Sequence, residues 1–92
     1  MMSRTQAEAK ALSIVISRDP DSESRGFHYA IADAIEKPYG WIIFYTSREY
    51  LEGNQSASLY GNWPLLIYGD GSYAYLGFAW ENAIKEIEER IQ

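Results

Sequence analysis

EKPYGWIIFYTSREYLEGNQSASLYGNWP, residues 36–64, is the stretch on which the fold turns. Its centre, Trp41-Ile42-Ile43-Phe44-Tyr45, is a short apolar run of aromatic and β-branched side chains. Such a run predicts a strand buried on both faces. Pro38 and Gly40 mark where it starts. Pro38 has no N–H to give to a ladder, and it biases Lys37 toward extended geometry. Beyond the strand, Ser47 is placed to cap a single helical turn over 47–52. Glu49 falls in that first turn, where a carboxylate suits the helix dipole, and Gly53-Asn54 is a stop signal. Residues 55–63 carry no periodic pattern, and Pro64 bars a helix from running into the next apolar segment.

Upstream, residues 27–36 read as the first strand. Phe27, Tyr29, Ile31 and Ile35 share one parity; His28, Ala30, Ala32 and Ala34 share the other. Asp33 interrupts the larger face and suggests an edge or a bulge. The connection from Glu36 to Gly40 is short, so the two strands should pair as an antiparallel hairpin. Before them, Ser3 with Gln6 and Thr5 with Glu8 are overlapping capping boxes for a helix over about 5–16. Its apolar stripe is Ala11, Leu12, Val15 and Ile16, extended by Ala7 or Ala9. Residues 17–26 form a polar loop. Asp19, Asp21 and Glu23 resemble the opening of a calcium loop. Ser24 then stands where the glycine is needed and Ala30 where the bidentate carboxylate is needed, so a solvated loop is the better reading.

Downstream, Gly69-Asp70-Gly71 sits between Leu65-Leu66-Ile67-Tyr68 and Ser72-Tyr73-Ala74-Tyr75-Leu76, a strong hairpin signal. Tyr73 and Tyr75 share a face suited to partial exposure, because a tyrosine ring packs while its hydroxyl stays solvated. The last element is a helix over about 80–91. Trp80, Ala83, Ile84, Ile87 and Ile91 face inward, and Glu81–Lys85 and Glu86–Arg90 are spaced for ion pairs. The whole is expected to be one α+β domain over residues 1–92. Its four-stranded antiparallel sheet would carry the N- and C-terminal helices packed on one face.

The chain has 92 residues, 47% of them hydrophobic, which suits one small core and argues against wholesale disorder. There is no cysteine, so disulfides and thiolate metal sites are excluded. No apolar run is long enough to span a membrane, and the first residues lack a signal-peptide core. The cytoplasm is the expected compartment. A net charge of −5 argues against nucleic-acid binding, which needs a basic face. His28 is the only histidine, with no cysteine or second histidine to build a metal site or triad around it. No nucleophile–base pair, phosphate-cradling glycine loop or metal spacing stands out, so no enzyme activity, cofactor or metal is expected.

From Ile35 to Leu76 the chain resembles the bacterial immunity protein 35 family. The likeness rests on Glu36-Lys37-Pro38-Tyr39-Gly40-Trp41, on Phe44-Tyr45 with Ser47 and Glu49-Tyr50-Leu51, on Leu59 with Gly61-Asn62 and Pro64, and on the Gly71 turn. Where that family typically has Gly-Asn-Gly-Pro, this chain has Gly61-Asn62-Trp63-Pro64. The resemblance implies a cytoplasmic protein that neutralises a cognate bacterial toxin by direct, tight binding, and is not an enzyme. Related domains are linked to small heat-protective chaperones, so a chaperone or general protein-interaction module is the alternative. A neutralising binder needs an aromatic hot spot ringed by charge. The residues proposed for it are Trp63, Tyr60, Tyr73 and Tyr75, with Glu49, Glu52 and Asp70 to meet a basic surface. A core plug is the competing reading of Trp63, and ordinary sheet packing that of each tyrosine. An unpaired sheet edge would equally serve a homodimer.

Overall fold

The computed structural model describes residues 2–53 and 64–91. The irregular segment 55–63, with Tyr60 and Trp63, lies outside the described residues. The chain forms an α+β fold in the order α1 (Arg4–Arg18), a 3-10 turn (Glu23–Arg25), β1 (Tyr29–Lys37), β2 (Gly40–Ser47), α2 (Arg48–Leu51), β3 (Leu65–Tyr68), β4 (Tyr73–Tyr75) and α3 (Trp80–Arg90). The strands make one antiparallel sheet in the order β1-β2-β3-β4, with a helix near each terminus. Sequence neighbours therefore pair throughout; the short connections predict this for β1–β2 and β3–β4, and β2 and β3 pair although residues 48–64 separate them.

Local signals act where they were expected. Ser3 caps α1 and closes a capping box with Gln6; the alternative box at Thr5 lies inside the helix. Ser47 caps α2 by accepting a hydrogen bond from the Tyr50 amide at 3.0 Å. Gly71, at φ 92°, turns the β3–β4 hairpin. The Asp70 carboxylate braces that turn by accepting from the Ser72 amide at 2.9 Å and from its hydroxyl at 2.6 Å.

One expectation is corrected. The terminal helices do not share a face of the sheet. Trp41, Ile43, Leu65 and Ile67 pack with Ala7, Ala11, Ile14 and Val15 of α1. Ile42, Leu66 and Leu76 pack with Ile84 of α3, with Phe44, Trp80 and Ile87 around them. The central strands explain the difference. Ile42 and Ile43 point to opposite faces and are both almost fully buried, as are Leu65, Leu66 and Ile67. A sheet apolar on both sides needs a cover on each, so α1 takes one and α3 the other. The Phe44 and Trp80 rings meet edge to face at 5.3 Å, which anchors the start of α3.

Asp33 does mark a bulge, on an edge strand; the parity along β1, the stripe of α1 and the ion pairs of α3 each differ from expectation. The β1–β2 register shifts between Ile31 and Asp33, which makes Ala32 a bulge. The bulge reverses parity along β1. Tyr29, Ile31 and Ala34 face the α1 side, whereas Ile35 pairs with Ile42 on the α3 side. In α1 the buried stripe is Ala7, Ala11, Ile14 and Val15, and Ile16 is left 41% exposed. The small residues set the helix close to the sheet, and the stripe rotates accordingly. Neither expected ion pair on α3 closes among the described residues; the Arg90 guanidinium donates instead to the Glu86 carbonyl.

Candidate partner-binding face

On the α1 side, an open recess of about 420 Å³ lies between the end of α1 and the sheet. Val15, Arg18, Asp19, Tyr29, Tyr45, Tyr75 and Leu76 line it. The helix delivers Arg18 there because Val15, one turn earlier, is buried on the sheet. The Arg18 guanidinium sits 4.4 Å above the centre of the Tyr75 ring, a cation–π contact. Tyr73 stands beside Tyr75, ring centres 6.2 Å apart and edge to face. Tyr29 and Tyr45 continue the aromatic row at 6.1 Å, and Phe27 abuts Tyr29 at 5.0 Å.

A charged clamp closes the rim. Asp19 receives two hydrogen bonds from Arg25, at 2.7 and 3.1 Å, and one from the Tyr29 hydroxyl at 3.0 Å. The Arg25 guanidinium, helped by that hydroxyl, holds the Asp19 carboxyl below its usual range. Burial and the Asp19 carboxylate together push the Tyr29 hydroxyl up to about 12. Burial also raises Tyr45. Arg25 and Tyr29 thus engage Asp19, whereas Arg18 makes no ion pair among the described residues.

The sequence-predicted residues are spread over three places. Tyr73 and Tyr75 lie together on the edge strand, 48% and 37% exposed. Glu49 lies on α2, where it accepts from the His28 amide at 2.8 Å and meets His28 Nδ1 at 2.9 Å. The His28 N–H, with the imidazole second, lowers the Glu49 carboxyl from its ordinary value. Glu52 is solvated, 3.8 Å from Arg48. Asp70 sits at the tip of the β3–β4 hairpin, beside the Tyr39–Gly40 turn, so it is at the other end of the sheet from Glu49 and Glu52. Tyr60 and Trp63 lie outside the described residues.

The His28–Glu49 pair joins the start of β1 to α2, and the Arg48 amide donates to the His28 carbonyl at 2.6 Å. This is a tether between elements. Among the described residues no hydroxyl donor or acceptor meets the histidine ring, and no group of three His, Asp or Glu side chains is arranged to hold a metal ion. No helix among them is long and apolar enough to cross a membrane.

Arg18, Tyr29 and Tyr45 carry no site signal in the sequence, and Asp19 stands out there only as the opening of a calcium-like loop. Arg18 and Asp19 are otherwise a basic-acidic pair ending a helix, which is common on solvated surfaces. Their meeting with Tyr75 depends on strand order. Compared with protein-family models, characterised proteins and solved structures, the chain matches none.

Proposed function

We propose that this chain is a protein-binding inhibitor of the immunity type, which neutralises a bacterial toxin in the cytoplasm by direct, tight, non-covalent binding. One observation carries the reading: a tyrosine-lined recess with an Arg18 guanidinium stacked on its rim and free of carboxylate partners among the described residues. Tyrosine and arginine are enriched at protein–protein hot spots: a tyrosine ring brings large area with few rotamers to lose, and a guanidinium brings a planar fork of donors. Tyr73, half exposed beside Tyr75, widens the patch. The likeness of residues 35–76 to the immunity family supplies the class of partner. Binding at nanomolar affinity or better, about −12 kcal/mol, is expected for such a role.

The test is protection. The product of the neighbouring upstream gene is expressed in a host cell with and without this chain, and the pair is then purified. Rescue with a stoichiometric complex supports the inhibitor. In that complex Tyr73→Ala and Arg18→Ala should each weaken binding by about 2 kcal/mol, roughly 30-fold, with the fold intact. Trp63→Ala belongs in the same series as the anchor expected from sequence. Absence of rescue and of a complex overturns the inhibitor reading. Suppression of heat aggregation of unrelated proteins would then favour the chaperone.

A further inference from the structure

We propose that β4 pairs with β4 of a second copy, joining two four-stranded sheets into one antiparallel sheet across a twofold axis at Ala74. The argument starts from hydrogen-bond parity. The Tyr68 amide donates to the Ser72 carbonyl at 2.8 Å, and the Leu76 amide to the Pro64 carbonyl at 3.0 Å. Leu66 faces Ala74 midway between these pairs. In an antiparallel ladder bonded and non-bonded pairs alternate, so Ala74 exchanges its bonds with Leu66. Tyr73 and Tyr75 therefore turn their N–H and C=O groups away from β3, toward a sheet edge that no described strand covers. That edge presents two donors and two acceptors, spaced for one more antiparallel strand.

The sequence Tyr73-Ala74-Tyr75 reads the same in both directions. A twofold at Ala74 sets Tyr73 of each copy against Tyr75 of the other, and both pairs are of the bonded kind. Every outward amide and carbonyl then finds a partner, which is the self-complementarity an isologous contact requires. Ala74 meets Ala74 at the axis, where a small side chain lets the strands close. The tyrosines stack in a continuous row on the α1 side. Charge agrees with this register. Each hairpin tip, with Asp70, extends toward the Tyr75 end of the other copy, where Arg18 stands without a carboxylate partner among the described residues.

The opposite edge makes the contrast. β1 carries the Ala32 bulge and exposed Asp33 and Glu36, devices that discourage strand addition. β4 has no bulge, no charge and no proline. The dimer shares Tyr73, Tyr75 and Arg18 with the toxin reading, but its test is separate. Ala74 faces the α3 side whereas the recess lies on the α1 side, so substitutions at Ala74 probe self-pairing without entering the recess.

The experiment is sedimentation velocity on the full chain over a wide concentration series, with amide hydrogen exchange read at Tyr73 and Tyr75. A dimer should grow with concentration, and these two amides should become protected as it does. Ala74→Glu and Ala74→Lys each set like charges opposite at the axis and should weaken the dimer at least ~10-fold, while an equimolar mixture restores it. Should either variant fail to fold, Tyr73→Pro removes an outward N–H and leaves the Leu66–Ala74 bonds in place, and it too should abolish pairing. A monomer at every concentration, or a dimer indifferent to these changes, overturns the proposal.

Discussion

Gly40→Ala is the sharpest test of the strand register that positions the recess. Gly40 is buried at the start of β2, opposite Tyr68 of β3. A methyl group built there collides with the Ile67 carbonyl oxygen and lies 2.9 Å from the Tyr68 Cα. Both obstacles are main chain, so no side-chain rotation relieves them. β3 must move away from β2, and overpacking of this kind costs about 1–3 kcal/mol. The Gly69 amide, which donates to the Tyr39 carbonyl at 3.0 Å, sits at the same point and would lengthen. Losing one such bond adds about 1 kcal/mol. Together these give a destabilisation of about 3 kcal/mol, against a total stability of roughly 5–14 kcal/mol for a chain this size. The melting temperature should fall by roughly 12–24 °C. Urea unfolding at constant m value is the assay. Gly77→Ala is the control, since nothing lies within 4 Å of a Cβ there; it should change stability by no more than about 1 kcal/mol. A Gly40→Ala protein within ~0.5 kcal/mol of wild type would refute the Gly40–Tyr68 pairing and the hairpin geometry built on it.

The remaining expectations concern the core beneath α3 and the titrating groups. Leu66→Ala, at a site with no solvent exposure, should cost about 2–5 kcal/mol; equilibrium denaturation reads it. Acid should destabilise the fold, because Asp19 (held by Arg25), Glu49 (by the His28 amide) and Glu88 (by Lys37, then Tyr39) all have lowered pKa values. Their contribution is complete above the ordinary carboxylate pKa of about 4 and is lost as pH falls through the lowered values. Glu49→Gln should therefore flatten the acid limb of a stability–pH curve. Tyr29 and Tyr39 behave in the opposite sense. Burial, with hydrogen bonds to Asp19 and Glu88, pushes both up to about 12. Their stabilisation is complete below the ordinary phenol pKa of about 10 and disappears as pH rises through the raised values. Phenolate absorbance should show Tyr29 and Tyr39 titrating late, with Tyr45 also above the ordinary phenol range, and Tyr29→Phe should remove one late-titrating group.

The sheet was legible because its signals are local. Trp41 to Tyr45 reads as a buried strand, Pro38 and Gly40 set its start, and Gly69-Asp70-Gly71 announces the hairpin. The side each helix takes was not legible from α1 or α3 alone. It was present in Ile42-Ile43 and Leu65-Leu66-Ile67, whose apolar character on both parities demands two covers. Asp33 signals an edge or a bulge, but the position at Ala32 and the reversal of the strand's faces leave no trace, because one extra residue changes parity without changing composition. The recess was half legible. Tyr73 and Tyr75 follow from strand alternation, but Arg18 and Tyr45 join them only through the order of the strands. Glu49 was picked for its charge and its place on a loop; its tie to His28 spans 21 residues and leaves no periodic trace.

The two-sided sheet has a consequence for how such a domain changes over time. Ile42 and Ile43 are joined by a peptide bond, yet they belong to separate interiors. Apart from Leu76, which lines the recess and also packs with Ile84, substitutions beneath α3 are separated from the recess by the thickness of the strands. Those around Arg18 and Tyr75 leave the α3 compartment untouched. One side is free to change its surface while the other keeps the strands aligned, so the sheet acts as a partition between what must stay and what is able to vary.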